Sequence, residues 1–515
     1  MANFIEQFKG KGKIASKAFD NEWTPDLLDD YYKCLEEIAV GEWGYDIYPN
    51  DIQIVDSIGM LEAYASTGLP IIYPHWSHGK RYAELENYYR RGKMGLALEM
   101  IVNSSPAISY FMEENTLTAQ ILVMAHACFG HNHYFKNNYM FKQFTMADYI
   151  IEYLKFAKRY VEYCEEKYGM EEVERTLDAA HTIGYYSVDR YTKKHRSQKE
   201  SEDDRKMLLK WEEEHFDPLQ AMLIDPKKKK KKDLEEIKID PTENLLYFIE
   251  TNSIGLKDWQ RQLVKIVRKI NQYFYPQRQN KLSNEGFATF THHSLCHELN
   301  KRGLVDESFM LEFCYQQSAV CFQPDYNSKY WQGYFNPYSI GHEIFFDIKR
   351  ICEEPTKEDE EWFPELVGKP AMPTILKAVE NFKDESLIGQ YLSPHLIRKY
   401  KMFALLDKHP EDPVLHVSNV SDEQGYRRVR EIFSNNWDTN AVIPKIEVVD
   451  VKKKSDFTLL LRHQMYKQIP LQQDEAMKVL HYIKYLWGYP VEITSYDGTA
   501  YFEKNSTEDG GGFIG

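Results

Sequence analysis

Cysteine is scarce in this 515-residue chain: seven residues, at positions 34, 128, 164, 296, 314, 321 and 352, with no CxxC pair among them. An odd, scattered set excludes a four-cysteine zinc ribbon and does not read as a disulfide framework. No apolar run reaches 18 residues, which removes a membrane-spanning helix, and residues 1–22 set Lys9, Lys11, Lys13 and Lys17 among their apolar positions where a signal peptide would need an unbroken apolar core. Positive charge is in deficit, 64 Lys and Arg against 79 Asp and Glu for a net −15, so nucleic acid is not an expected partner. The expected location is cytoplasmic. Walker A, GxSxG and GxGxxG are missing, which leaves nucleotide-dependent chemistry and the serine hydrolases without support.

Aromatics are plentiful, at 14 % with 37 tyrosines, far more than a charged disordered chain carries. The length exceeds what one core organises, so two or three domains are expected. Helical spacing dominates residues 1–192, as in Ile150, Tyr153, Leu154, Ala157, Val161 and Cys164, with Tyr73-Pro74-His75-Trp76-Ser77-His78-Gly79 read as an ordered loop. Residues 193–242 are charge-dense and include six consecutive lysines, Lys227 to Lys232, flanked by Asp225, Asp233, Glu235 and Glu236, which reads as a solvated linker. Helical periodicity resumes over 243–408, a second half expected to pack on the first. After Pro410 the period changes to 2, and the order β-α-β-β-α-β over 409–505 matches a ferredoxin-like split βαβ unit, with 506–515 a disordered tail. The expected fold is therefore a mainly α body, with a gluzincin-like arrangement as one form of it, followed by an α+β ferredoxin-like domain.

Chemistry concentrates in two histidine blocks, Ala125-His126-Ala127-Cys128-Phe129-Gly130-His131-Asn132-His133 and Thr291-His292-His293, the second preceded by Asn284-Glu285-Gly286-Phe287-Ala288. Neutral imidazole and carboxylate are the usual ligands of Zn²⁺ and Fe²⁺. Gly130 is expected to end the first helix as a C-terminal cap, leaving His131 in a turn. The spacing is i, i+5 with Ala127 after the first histidine, so this is not HExxH. Asn-Glu-Gly-Phe-Ala is similar to the way gluzincin aminopeptidases present their third zinc ligand. At about 100° per residue, Thr289, His292 and Cys296 lie within about 40° of Glu285 and His293 about 80° away. His293 and His297 are spaced i, i+4 and can also chelate. His181, near Asp189-Arg190, is a further candidate, and Glu99 and Glu114 are candidate general bases if burial raises them. For each histidine the plain alternative is a hydrogen-bonded core residue.

Tyr73-Pro74-His75-Trp76-Ser77, Tyr110-Phe111-Met112-Glu113-Glu114-Asn115-Thr116, Ala125-His126-Ala127-Cys128, Gly130-His131-Asn132, Phe135-Lys136-Asn137-Asn138-Tyr139, Val188-Asp189-Arg190-Tyr191, Asn284-Glu285-Gly286, Asn336-Pro337-Tyr338 and Phe382-Lys383-Asp384-Glu385-Ser386 together resemble the SpoVR (stage V sporulation protein R) family from about Trp23 to Phe502. The resemblance implies a cytoplasmic bacterial protein linked to spore cortex formation or to a stationary-phase stress response, with a PrkA-type serine kinase and a von Willebrand A-like protein as associated partners. Within the family pattern His126, His131, Glu285 and His293 match, whereas His133, His292, His297 and His342 look particular to this chain. Two expectations stand side by side. In one, His126, His131 and Glu285 hold Zn²⁺ (or Fe or Mn), with Glu114 or Glu99 as base and His293 or His181 as proton donor in amide hydrolysis. In the other, the histidines are structural and the chain is a non-catalytic adaptor.

Overall fold

The computed structural model describes residues 4–10, 22–66, 69, 71–91, 98–190, 242–324, 335–402, 404–406, 416–418, 422–439, 443–452, 456–465, 469–496 and 501–505. The expected charged linker with its lysine run, apart from Thr242, and the expected tail at 506–515 lie outside them. The described chain is mainly helical, with three small sheets. Among the described residues no helix is long and apolar enough to cross a membrane.

Two compact units form, and they do not follow the linear domains expected. One joins Met1–Ile151 to Tyr275–Thr439, and the other joins Glu152–Phe274 to Asn440–Gly515. Chain order misleads here because helices pair by their apolar faces, wherever in the sequence those faces occur.

In the first unit a three-stranded sheet runs in the order Asn50–Val55, Ala107–Met112, Glu99–Val102, the first pair parallel and the second antiparallel. Thr116 then caps a helix, its Oγ accepting from the Ala119 amide at 3.1 Å. That helix runs without a break through Leu117–Met124, a π-helical segment Ala125–His131, and Asn132–Asn137. Gly130 therefore does not end it, contrary to the expectation from sequence. Its missing side chain serves a close approach: a Cβ there would stand 2.6 Å from the Ala288 Cα. A second such approach joins Gly286 to Gly341, where added Cβ atoms would meet backbone at 2.4 Å. The Lys281–Lys301 helix is thus pressed between the π-helical segment and the Pro337–Glu353 helix, and Phe129, Phe287, Phe290 and Phe345 fill the space around it. Each such ring contributes roughly 1.5–3 kcal/mol by leaving water.

The motif residues outside the histidine blocks hold this packing in place. The Asp384 carboxylate accepts from the Leu282 and Ser283 amides at 2.9 and 2.8 Å, capping the helix that carries Glu285. Asn138 donates to the Val379 and Phe382 carbonyls at 2.7 and 2.9 Å. Tyr73-Pro74-His75-Trp76-Ser77, read as a loop, includes the start of a helix: Trp76–Arg90 begins there, with His75 as its cap.

In the second unit the sheet order is Lys445–Val451, Leu459–Gln464, Val491–Tyr496, Tyr501–Asn505, with antiparallel, parallel and antiparallel pairings in turn. The Gln473–Trp487 helix makes the parallel crossover. This corrects the ferredoxin-like expectation. The His416–Ser418 strand pairs with Ala404–Leu406 in a separate two-stranded sheet, and that strand and the Glu423–Asn436 helix belong to the first unit. Local periodicity identified the strands and helices, but strand partners are chosen by contacts distant in sequence. Asp189 and Arg190 do not pair with each other. Asp189 accepts from Thr242, Glu243 and Asn244, while Arg190 pairs with Glu243 at 3.1 Å.

Candidate metal centre

A π turn places residues i and i+5 on one face, where an α turn would place i and i+4. The i, i+5 spacing of His126 and His131 is therefore the right spacing for the helix they occupy, and their rings stand edge to face with centroids 4.6 Å apart. Glu285, in the first turns of the Lys281–Lys301 helix, faces both. Its Oε2 lies 3.6 Å from His126 Nε2 and 3.5 Å from His131 Nε2. The three ligand atoms all lie within 4.8 Å of one another.

Two arrangements can be set against these distances. A charge-assisted hydrogen bond brings N and O to about 2.7–2.9 Å, and these pairs are longer. Two ligands on one tetrahedral ion at about 2.0–2.2 Å each stand about 3.4 Å apart, which these pairs nearly match. The far side of each ring is also occupied. His131 Nδ1 donates to Asn284 Oδ1 at 3.0 Å, and His126 Nδ1 meets His292 Nδ1 at 2.9 Å. Holding the outer nitrogen leaves each Nε2 facing inward, the orientation metal-binding histidines favour. The donor set, two imidazole nitrogens and a carboxylate oxygen, fits Zn²⁺ or Fe²⁺.

Electrostatics follow from burial. Burial alone would raise the Glu285 carboxyl, but His131 and His126 outweigh it and hold it well below the usual carboxylate range. Burial likewise works against charge on His131, yet Glu285, Asn284 and Glu99 together raise it. Glu99, at the start of its strand, places Oε1 3.7 Å from His126 Nε2, and burial, with Glu285 adding to it, raises its carboxyl despite the neighbouring imidazoles. Burial drives His292 well below an ordinary histidine. Tyr338 stacks over His126 at 6.5 Å, and burial plus the charges of Glu285 and Glu99 push its phenol far above its usual range.

Of the residues singled out from sequence, His126, His131, Glu285 and Glu99 come together. Glu114 does not join them: it is exposed in the turn after the Ala107–Met112 strand. His293 turns instead to His297 and Phe346, with centroids at 4.4 and 5.0 Å, and burial lowers it to about 3. His181 lies on the Met170–Thr182 helix of the other unit. His133 is a core histidine whose Nδ1 faces the Asp46 amide at 2.9 Å. Sequence reasoning placed His292 near Glu285 by helical angle but gave it no role, and it passed over Gln317, Asn284 and Tyr338 as parts of the site. A signal existed for two of these, since Asn284 and Tyr338 lie inside quoted motifs.

A family model described as SpoVR like protein matches residues 22–442, and one described as SpoVR-like C-terminal domain matches residues 444–498. The chain belongs to the SpoVR family. The uncharacterised protein YcgB of Escherichia coli (strain K12) is 44 % identical over 477 residues, 92 % of each chain. No solved structure matches. The stretches that carry the SpoVR resemblance are also those that build the centre: His126 and His131 on the π-helical segment, Asn284 and Glu285 behind the Asp384 cap, and Tyr338 after its Asn336 cap.

Proposed function

We propose that this SpoVR-family chain is a metal-dependent hydrolase of gluzincin-like ligand type, with His126, His131 and Glu285 holding one divalent ion, Zn²⁺ by preference. The observation that carries this reading is the pair of 3.5 and 3.6 Å separations between one carboxylate oxygen and two imidazole Nε2 atoms whose outer nitrogens are both engaged. Two histidines and a glutamate are a zinc-hydrolase ligand set even without HExxH. When bound, such an ion polarises a carbonyl and lowers the pKa of a water. Glu99 takes a proton from the attacking water and hands it to the leaving nitrogen of a peptide or amide bond. Tyr338 stays protonated at neutral pH and donates a hydrogen bond to the developing oxyanion. For a stress-response or cell-wall role, and for a PrkA-type kinase and a von Willebrand A-like protein as partners, family membership is the only support.

Metal analysis of tag-free protein tests the centre. About one equivalent is expected, lost in His126→Ala and Glu285→Gln variants that keep their circular dichroism. Metal-free protein whose stability ignores both substitutions would instead favour the adaptor reading. Glu99→Gln is expected to keep the metal and to lower amide hydrolysis by about 10²–10⁴-fold.

A further inference from the structure

The back of His126 leads away from the centre through two more side chains. His126 Nδ1 lies 2.9 Å from His292 Nδ1, and His292 Nε2 lies 2.5 Å from Gln317 Oε1. Gln317 Nε2 is directed at Cys321 Sγ, 3.3 Å away, so the amide oxygen is the atom facing the imidazole. An amide oxygen only accepts, so His292 Nε2 must carry a proton. Two N–H groups cannot face each other at hydrogen-bond distance, so only one of the two Nδ1 atoms is protonated. His292 is buried, and no carboxylate hydrogen-bonds or ion-pairs with it among the described residues; a second proton there would bury an uncompensated charge. His292 is therefore neutral with Nδ1 bare, and His126 Nδ1 is the donor.

We infer that Gln317 and His292 form a tautomer relay that fixes a proton on His126 Nδ1 and so leaves Nε2 as the nitrogen His126 turns toward Glu285. His292 is the positioning residue and Gln317 sets its orientation. The inference rests on the metal-centre reading for its purpose but not for its proton assignment. A ligand histidine usually has a carboxylate or a backbone carbonyl behind it; here a second imidazole fills that place and takes its own direction from an amide. The relay joins the Glu307–Val320 helix, which carries Gln317, to the Lys281–Lys301 helix and the π-helical segment.

The test is ring-nitrogen NMR on the full-length, metal-free protein with ¹⁵N-labelled histidine, the two rings assigned by His126→Gln and His292→Gln. The expected pattern is opposite at the two Nδ1 atoms: His126 protonated there and His292 bare, with His292 protonated at Nε2 instead. A bare His126 Nδ1, or a proton on His292 Nδ1, overturns the relay. Zn²⁺ affinity against a competing chelator supplies the second arm. His292→Phe is expected to weaken it by about 10–100-fold, and His292→Asn, whose amide oxygen can accept from His126, to recover part of the loss. Wild-type affinity in His292→Phe would also overturn the relay's role. If the NMR pattern holds while the wild-type protein takes up no metal, the proton assignment survives and the metal reading fails.

Discussion

Asp384 shows how one buried carboxylate supports the centre without touching it. It accepts from two backbone amides and from Ser283 Oγ at the start of the helix that presents Glu285. Burial raises its carboxyl from 3.8 to about 6, against the pull of those donors. A folded pKa above the unfolded one means that the native state holds the proton more tightly, so stability from this group is complete below about 3.8 and is lost as pH rises through about 6. Wild type should therefore gain about 1 kcal/mol relative to Asp384→Asn between pH 7 and pH 5, read from denaturant unfolding at both values. A constant difference across that range would refute the assignment. The same scale separates His292 from His293, adjacent in sequence. The angular estimate set His292 nearer Glu285, and the structure puts its ring against His126, while His293 faces His297.

At the level of elements, helix contacts without side chains decide the geometry. Replacing a helical glycine by alanine ordinarily gains up to about 1 kcal/mol. At Gly130 the added Cβ would collide with Ala288, and at Gly341 with the Gly286 Cα at 2.7 Å and the Leu282 carbonyl at 2.4 Å, so both substitutions should cost about 1–3 kcal/mol or more, and Gly130→Ala should also weaken metal binding by separating the helix of His126 and His131 from that of Glu285. Gly79, on the Trp76–Arg90 helix with nothing within 4 Å of its Cβ position, is the control and should gain stability on the same change. Thermal unfolding of the three variants checks the order. The π-helical segment explains why the i, i+5 pair was legible as candidates but not as neighbours: an α-helical projection separates residues that a wider turn aligns.

For the whole molecule, the C-terminal residues 444–498 share a core with helices from the middle of the chain. Ser253 Oγ donates to the Leu486 and Trp487 carbonyls at 2.9 and 3.1 Å, Phe248 stacks on Trp487 at 5.7 Å, and Gln260 reaches Tyr485 at 3.3 Å. A chain ending at residue 443 should lose amide-exchange protection over 152–190 and 242–274 while His126, His131 and Glu285 keep theirs, because those three lie in the other unit. Uniform loss of protection would show that the two units do not fold independently. Trp487→Ala, which removes a fully buried ring, should destabilise the same region by about 3–5 kcal/mol.

The sequence by itself determined the helical character of the chain, the positions of its later strands, and His126, His131 and Glu285 as the residues to watch, since composition and periodicity are local properties and the resemblance lies in contiguous stretches. Which residues meet was decided only in three dimensions. The Gly130 and Gly286 contacts, the choice of Glu99 over Glu114, and the seating of Gln317 behind His292 depend on elements packing together across separations from 25 residues, for His292 and Gln317, to 166, for His126 and His292, and no local pattern encodes the partner at such distances.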